Sequence, residues 1–270
     1  MNLHKLFLTE NDCYKANRKH TVRGIMVHST GVNNPHLCRY VGPNDGLLGE
    51  NLYHNHWNTA RPGGKQVCVH AFIGKLADGS VATYQTLPWD ICGWHSGAGS
   101  KGNANFLGYV GFEICEDGLD NADYFRKVYR EAVELCAYLC TAFSLTPDQI
   151  ICHSEGHERG IASDHADVMH WFPKYGKSMD TFRDDVRAEL QRQADAQKDN
   201  VPADWAKDAV AWAKANGFIA GNEHGDLMLR SPLTREQFCV FLKRYHDRFI
   251  GSKSARATEE AGGTGDSIAL

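Results

Sequence analysis

Apolar positions along this chain fall into short runs and helical stripes that alternate. Val22 to His28 (Val-Arg-Gly-Ile-Met-Val-His) is an apolar run bounded by polar residues, the mark of a buried strand. It ends on a histidine followed by Ser29, Thr30 and Gly31, which puts an imidazole where a strand meets a loop. Asp45 to Thr59 carries Leu47, Leu48, Leu52, Tyr53 and His56 at roughly helical spacing, and Arg61-Pro62-Gly63-Gly64 then breaks the chain, so a helix is expected there. Gln66 to Lys75 is rich in β-formers, Ala77-Asp78-Gly79-Ser80 supplies a turn and Val81 to Leu87 returns, which predicts a hairpin. Ser96 to Asn105 is a run of small residues that cannot bury apolar surface and is predicted to be a loop.

Tyr109 to Cys115 predicts a further strand. Strand alternation puts Val110, Phe112 and Ile114 on one face and Gly111, Glu113 and Cys115 on the other. Asp120 to Phe143 repeats apolar residues at three- and four-residue spacing, from Phe125, Val128 and Tyr129 to Leu139 and Cys140, and predicts an amphipathic helix. Gln149 to Cys152 reads as a short strand delivering His153, and Met179 to Gln191 as a helix with Ser178 as N-cap. This alternation places the first 190 residues in the α/β class. Polar Gln191 to Asn200 and Pro202 mark a linker over 191–202. Residues 203–248 then form a small helical unit with one helix holding Trp205, Ala209, Trp212 and Ala213. A second helix starts at a Thr234–Gln237 capping box and is expected to bury Phe238, Phe241 and Leu242. Residues 249–270, rich in Gly, Ser, Thr and Glu, are expected to be a disordered tail.

Composition narrows the class. A net charge of −4 argues against a nucleic-acid partner, which calls for a basic stripe. No apolar run approaches the length of a membrane span, and the N-terminus lacks the apolar core of a signal peptide. Nine cysteines without a Cys-x-x-Cys pair fit thiols kept reduced, so synthesis in a cytoplasm is expected.

The chemistry gathers in Ile151 to Phe172. Of the 14 histidines in the chain, His153, His157, His165 and His170 fall there, among Glu155, Glu158, Asp164 and Asp167. Neutral imidazole and carboxylate are the donors that bind a borderline divalent metal such as zinc. A solvated polar loop is the alternative, but the apolar pair Trp171–Phe172 that closes the stretch favours a metal site. Upstream, Glu113 in the middle of a buried strand is costly unless it has a partner or a task. His54, His56 and His70 are taken as structural or as supports behind a site.

Three distant pieces, Val27-His28-Ser29-Thr30, Val110-Gly111-Phe112-Glu113-Ile114 and the 151–172 stretch, together resemble the zinc-dependent N-acetylmuramoyl-L-alanine amidases of the peptidoglycan-recognition fold, as found in endolysins and prophage lysins of Gram-positive hosts. The resemblance covers roughly residues 20–190 and implies a central mixed sheet flanked by helices. It implies zinc held by His28, His153 and Asp167, with Glu113 as catalytic carboxylate and His165 as the group that stabilises the transition state. Trp94-His95-Ser96-Gly97 is similar to the family's Trp-His-Ala-Gly segment, which implies that Trp94 and His95 border the substrate groove, with the 96–105 loop beside them.

The chain departs from the family at the third ligand, where Asp-Pro-Gly is absent and Asp167 follows His153 at more than the usual distance. His157 has the family's spacing to Asp167 and is the alternative second ligand; the rigidity of a strand end favours His153, with the residues between Glu155 and His165 as an inserted loop. A helical zinc-protease motif is disfavoured, because Glu155 does not directly follow His153 and Gly156 weakens a helix.

Residues 203–248 resemble a single S-layer homology module through Trp205-Ala206-Lys207-Asp208-Ala209-Val210, Asn216-Gly217, Gly221 and Leu233-Thr234-Arg235-Glu236-Gln237-Phe238. The usual opening Phe-x-Asp-Val is Lys198-Asp199-Asn200-Val201 here, and one copy stands where three are common. The resemblances imply a peptidoglycan hydrolase that cuts between muramic acid and L-alanine and acts on the wall after release, with peptidoglycan and secondary wall polymers as partners. A non-catalytic recognition module and a zinc peptidase cutting within the stem peptide are the rival readings, and self-association is the rival role for the second unit.

Overall fold

Period-two apolar runs can share one sheet when each leaves one face for a core, and the strands here do so. The computed structural model describes residues 1–251 apart from His224, so the tail expected over 249–270 lies, from Ser252 on, outside the described residues. Strands β1 (Leu3–Lys5), β2 (Gly24–Asn33), β3 (Ala71–Lys75), β4 (Val81–Gln85), β5 (Tyr109–Glu116) and β6 (Ile150–Cys152) form one six-stranded sheet in the order β1-β4-β3-β5-β2-β6. All neighbours are parallel except the β3–β4 hairpin. The helices are α1 (Asp12–Ala16), α2 (Ala122–Phe143), α3 (His153–Glu158), α4 (Met179–Asp199), α5 (Lys207–Ala215) and α6 (Arg235–His246). The chain divides after Leu190 into two units.

In the first unit, Ile25 and Val27 of β2, Val110, Phe112 and Ile114 of β5, and Ile150 and Cys152 of β6 bury one sheet face against α2 and the start of α4. Phe125, Val128, Ala132, Cys136 and Leu139 of α2 and Phe182 and Val186 of α4 complete that core. Each large apolar side chain buried there contributes about 1.5–3 kcal/mol. Asn121 caps α2 by accepting from the Tyr124 N–H at 3.0 Å. The opposite face carries Met26 and Ile151, packed with Ala104 and Ala162. His28, Gly111 and Glu113 belong to that face by strand alternation.

Three expectations need correction. Asp45 to Thr59 is not a helix. Asp45 Oδ1 accepts from the N–H groups of Leu47 and Leu48, and Asn51 Oδ1 from that of Tyr53. Such local side-chain bonds compete with helical ones, and of the apolar set only Leu48 is buried. The polar stretch expected as a linker is instead helical as far as Asp199, because Glu, Gln, Arg and Ala are strong helix formers. In the second unit Thr234 and Gln237 do form the capping box, but Phe238 and Leu242 of α6 are 49% and 50% exposed. This unit packs through Phe218, which meets Trp212 and Phe241 at ring distances of 5.3 Å. Trp205 lies in a short 3-10 turn before α5 and is exposed.

Candidate metal centre

Ile25, Met26 and Val27 in the first half of β2 are fully buried, and His28, which follows them, is 1% exposed. His28 is the register partner of Glu113 on β5, so both side chains leave the same sheet face. β6 ends at Cys152, and His153 is the first residue of α3. Asp167 arrives from the loop that follows. His28 Nδ1 lies 3.0 Å from Asp167 Oδ2 and 3.1 Å from His153 Nδ1, and His153 Nδ1 lies 3.6 Å from Asp167 Oδ2. Among the described residues this is the one group of three or more His, Cys, Asp or Glu side chains whose ligand atoms converge in this way.

Burial pushes the His28 imidazole below its ordinary pKa, partly offset by Asp167, so the ring is neutral and can offer a lone pair. Burial pushes Asp167 up, but the neighbouring His153 and His28 side chains outweigh it and hold the carboxyl far below the usual range. Two imidazoles and a carboxylate are a donor set that suits zinc. Bonds of about 2.0–2.1 Å in a tetrahedron space the ligand atoms by about 3.3 Å. The observed edges of 3.0, 3.1 and 3.6 Å bracket that spacing.

Glu113 is half-buried as a residue, yet its Oε2 is sealed from solvent and has no hydrogen-bond partner. Burial, then the charges of Asp167 and Glu116, push its carboxyl well above the ordinary range. A carboxyl with raised proton affinity beside a metal triad suits proton transfer.

The other candidates fall as follows. His165 is exposed and stacks on the His153 ring at 4.7 Å. His157 is exposed too, and its Nε2 stands 4.0 Å from Asp164, outside the triad. His157 and Glu158 lie in the last turn of α3, so the expected inserted loop begins only at Arg159. Gly156 is what allows this helix to approach the sheet, since a Cβ there would lie 2.7 Å from Met26 Cε. Trp94 is half-buried and meets Phe106 edge-on at 5.6 Å. His95 lies beneath His28, its Nδ1 2.9 Å from His28 Nε2 and its Nε2 3.2 Å from the Tyr109 carbonyl oxygen. Both ring nitrogens are taken inside the protein, which removes the direct substrate contact expected of them. The 96–105 loop is bound along the inserted segment, with the Lys101 and Ala104 N–H groups donating to the carbonyls of Gly160 and Ile161.

Two further carboxylates of the stretch and its surroundings were not assigned partners from sequence. Glu155 accepts a two-pronged bond from Arg183 at 3.0 Å and anchors α3 instead of offering a ligand. His170 pairs with Glu116 at 2.9 Å, and Glu116 also accepts from the Gly31 N–H. Nothing local in the sequence marks either pair. Glu155, three residues after Cys152, does fit the capping pattern that the structure forms.

Comparison with known proteins adds the following. The family described as N-acetylmuramoyl-L-alanine amidase matches residues 18–171. Among solved structures, PlyL aligns at 16% identity and a TM-score of 0.47, over 69% of this chain and 96% of that chain. The Staphylococcus aureus hydrolase AmiA in complex with its ligand aligns at 18% and 0.48, over 72% and 84%. The catalytic domain of XlyA aligns at 20% and 0.45, over 69% and 99%. The comparison with curated proteins gives no match.

Proposed function

Because the chain belongs to the N-acetylmuramoyl-L-alanine amidase family, we propose that it is a zinc-dependent peptidoglycan hydrolase cutting the amide between the lactyl group of muramic acid and L-alanine. The observation that carries this reading is Glu113 Oε2, a buried carboxylate oxygen without a partner, on the strand position opposite His28. His28, His153 and Asp167 hold the metal. Zinc there supplies Lewis acidity, which polarises a carbonyl and acidifies a water.

The chain's own residues carry the protons. Glu113 takes a proton from the attacking water as its oxygen bonds to the carbonyl carbon. It then gives that proton to the amine nitrogen of L-alanine as the C–N bond breaks. His165, exposed above the His153 ring, donates to the developing oxyanion. Trp94 walls the groove.

Mass spectrometry of peptidoglycan digests tests this directly. The expected products are stem peptides with a free L-alanine amine, formed with zinc, lost on chelation and restored by zinc. A cut inside the stem peptide, or full activity after rigorous metal removal, overturns the reading.

The same reading makes the protein an endolysin, made in a host cytoplasm and acting on the wall after release. All nine cysteines are free, and eight are buried, which fits folding in a reducing compartment. Thiol titration of the denatured, active protein should count all nine; a disulfide speaks against it. The 203–248 unit is assigned to wall polymers on its S-layer-homology residues. A chain ending at residue 200 should then cut soluble muropeptides but sediment less with intact walls. Equal sedimentation assigns the unit to self-association.

A further inference from the structure

A neutral imidazole carries one proton on two nitrogens, so the partner of one nitrogen decides the state of the other. In the triad His28 and His153 turn their Nδ1 atoms toward each other at 3.1 Å. Their far nitrogens can be followed to fixed ends.

His95 Nε2 lies 3.2 Å from the Tyr109 carbonyl oxygen. A carbonyl only accepts, so His95 carries its proton on Nε2 and presents a lone pair on Nδ1. That lone pair faces His28 Nε2 at 2.9 Å, so His28 donates there and its Nδ1 is bare. On the other side, Ser163 Oγ donates to the Ser96 carbonyl at 3.2 Å and is left to accept from His153 Nε2 at 3.3 Å. His153 is then in the same state.

We propose that His95 and Ser163 are positioning residues that hold His28 and His153 in the tautomer with the proton on Nε2 and the Nδ1 lone pair turned toward the triad. Each relay ends on a backbone carbonyl, which cannot reverse its role. For His28 the opposite arrangement needs either a doubly protonated His95, a charge inside the protein with no carboxylate bonded to it, or a neutral His95 that gives up its bond to the Tyr109 carbonyl, and both are costly.

Packing keeps the ring where the relay needs it. His95 lies so close to β5 that a Cβ on Gly111 would fall 2.4 Å from its Nδ1. His70 packs edge-on to it at 6.0 Å and is itself fixed, accepting at Nδ1 from the Gly111 N–H and donating from Nε2 to the Ile91 carbonyl. Asn105, fully buried, ties the two relays together, because its Oδ1 accepts from the N–H groups of both His95 and Ser96. Two lone pairs and a carboxylate thus converge before any metal arrives, and no proton has to change nitrogen when it binds.

The inference rests on the metal reading of the triad, and its test separates the two. Imidazole nitrogen NMR on the zinc-free, full-length protein should show His28 and His153 protonated at Nε2. Protonation of His28 at Nδ1 overturns the proposal. In zinc competition titrations His95→Phe and Ser163→Ala should each weaken binding by about 10–100-fold. His95→Gln, which can accept from His28 and donate to Tyr109, should restore most of it. Wild-type affinity in both His95→Phe and Ser163→Ala also overturns the proposal. Should His95→Phe fail to fold, Ser163→Ala and the NMR measurement decide. Correct tautomers in a protein that binds no zinc uphold the relays and refute the metal reading.

Discussion

Gly111→Ala adds one methyl group at a residue that belongs to no proposed ligand, and it should still cost metal affinity. The new Cβ would lie 2.4 Å from His95 Cγ and Nδ1 and 2.5 Å from Cε1. Ordinary carbon contacts sit near 3.5–4.0 Å, so the ring must retreat by about 1 Å. The His28–His95 contact is 2.9 Å and the His95–Tyr109 contact 3.2 Å. A shift of about 1 Å carries them beyond the usual hydrogen-bond limit of about 3.2 Å. Overpacking of this kind costs about 1–3 kcal/mol. For a unit of this size each kcal/mol is worth about 2–4 °C, so the melting temperature should fall by roughly 2–12 °C. Zinc affinity should fall by about 10–100-fold, as for loss of an outer partner of a ligand. Gly74→Ala is the control: its Cβ would meet the Pro35 carbonyl at 2.6 Å and Cys115 Sγ at 2.9 Å, away from His95. It should lower the melting temperature and leave zinc binding alone. Calorimetry and a chelator competition titration measure both quantities. An unchanged zinc affinity in a destabilised Gly111→Ala protein would refute the chain of reasoning from β5 through His95 to His28.

Glu113→Gln should keep the fold and the zinc while turnover on muropeptides drops at least ~100-fold, and near-normal turnover would return Glu113 to a structural part. His153→Ala should lose zinc and His157→Ala should keep it, measured by metal content after gel filtration; the reverse pattern would make His157 the ligand. Stability should also fall in mild acid. Burial, then the charge of His20, pushes His70 from its ordinary 6.5 down to about 3. The unfolded chain therefore takes up a proton that the folded one refuses, and stability is lost as pH falls from 6.5 toward 3, by up to about 1.4 kcal/mol per pH unit. A melting temperature that is flat between pH 7 and pH 5 would contradict this.

Local pattern carried far in this chain where a period could be counted. The run ending on His28, the alternation of Val110, Phe112 and Ile114 against Glu113, the β3–β4 turn and the α2 stripe each report which face is buried, because burial acts on every second or every third to fourth residue. The Thr234–Gln237 capping box was legible for the same reason, since its bonds close within four residues. Pattern misled over Asp45–Thr59, where leucines at helical spacing are outweighed by Asp and Asn side chains that bond their own backbone.

What only the tertiary structure decided concerns residues far apart in the chain. His153 and His157 are four residues apart in α3, and the sequence supplied both candidates. The approach of that helix to Met26 across Gly156 leaves His153 inside the triad and His157 outside it. Glu155 could have been a ligand until Arg183, twenty-eight residues later, took both its oxygens. His95 looked like a groove residue, and it is the packing of β5 against its ring that places it under His28. A residue's type states which bonds it can make; which of them it makes depends on what the fold brings within about 3 Å of it, and no spacing along the chain encodes that distance.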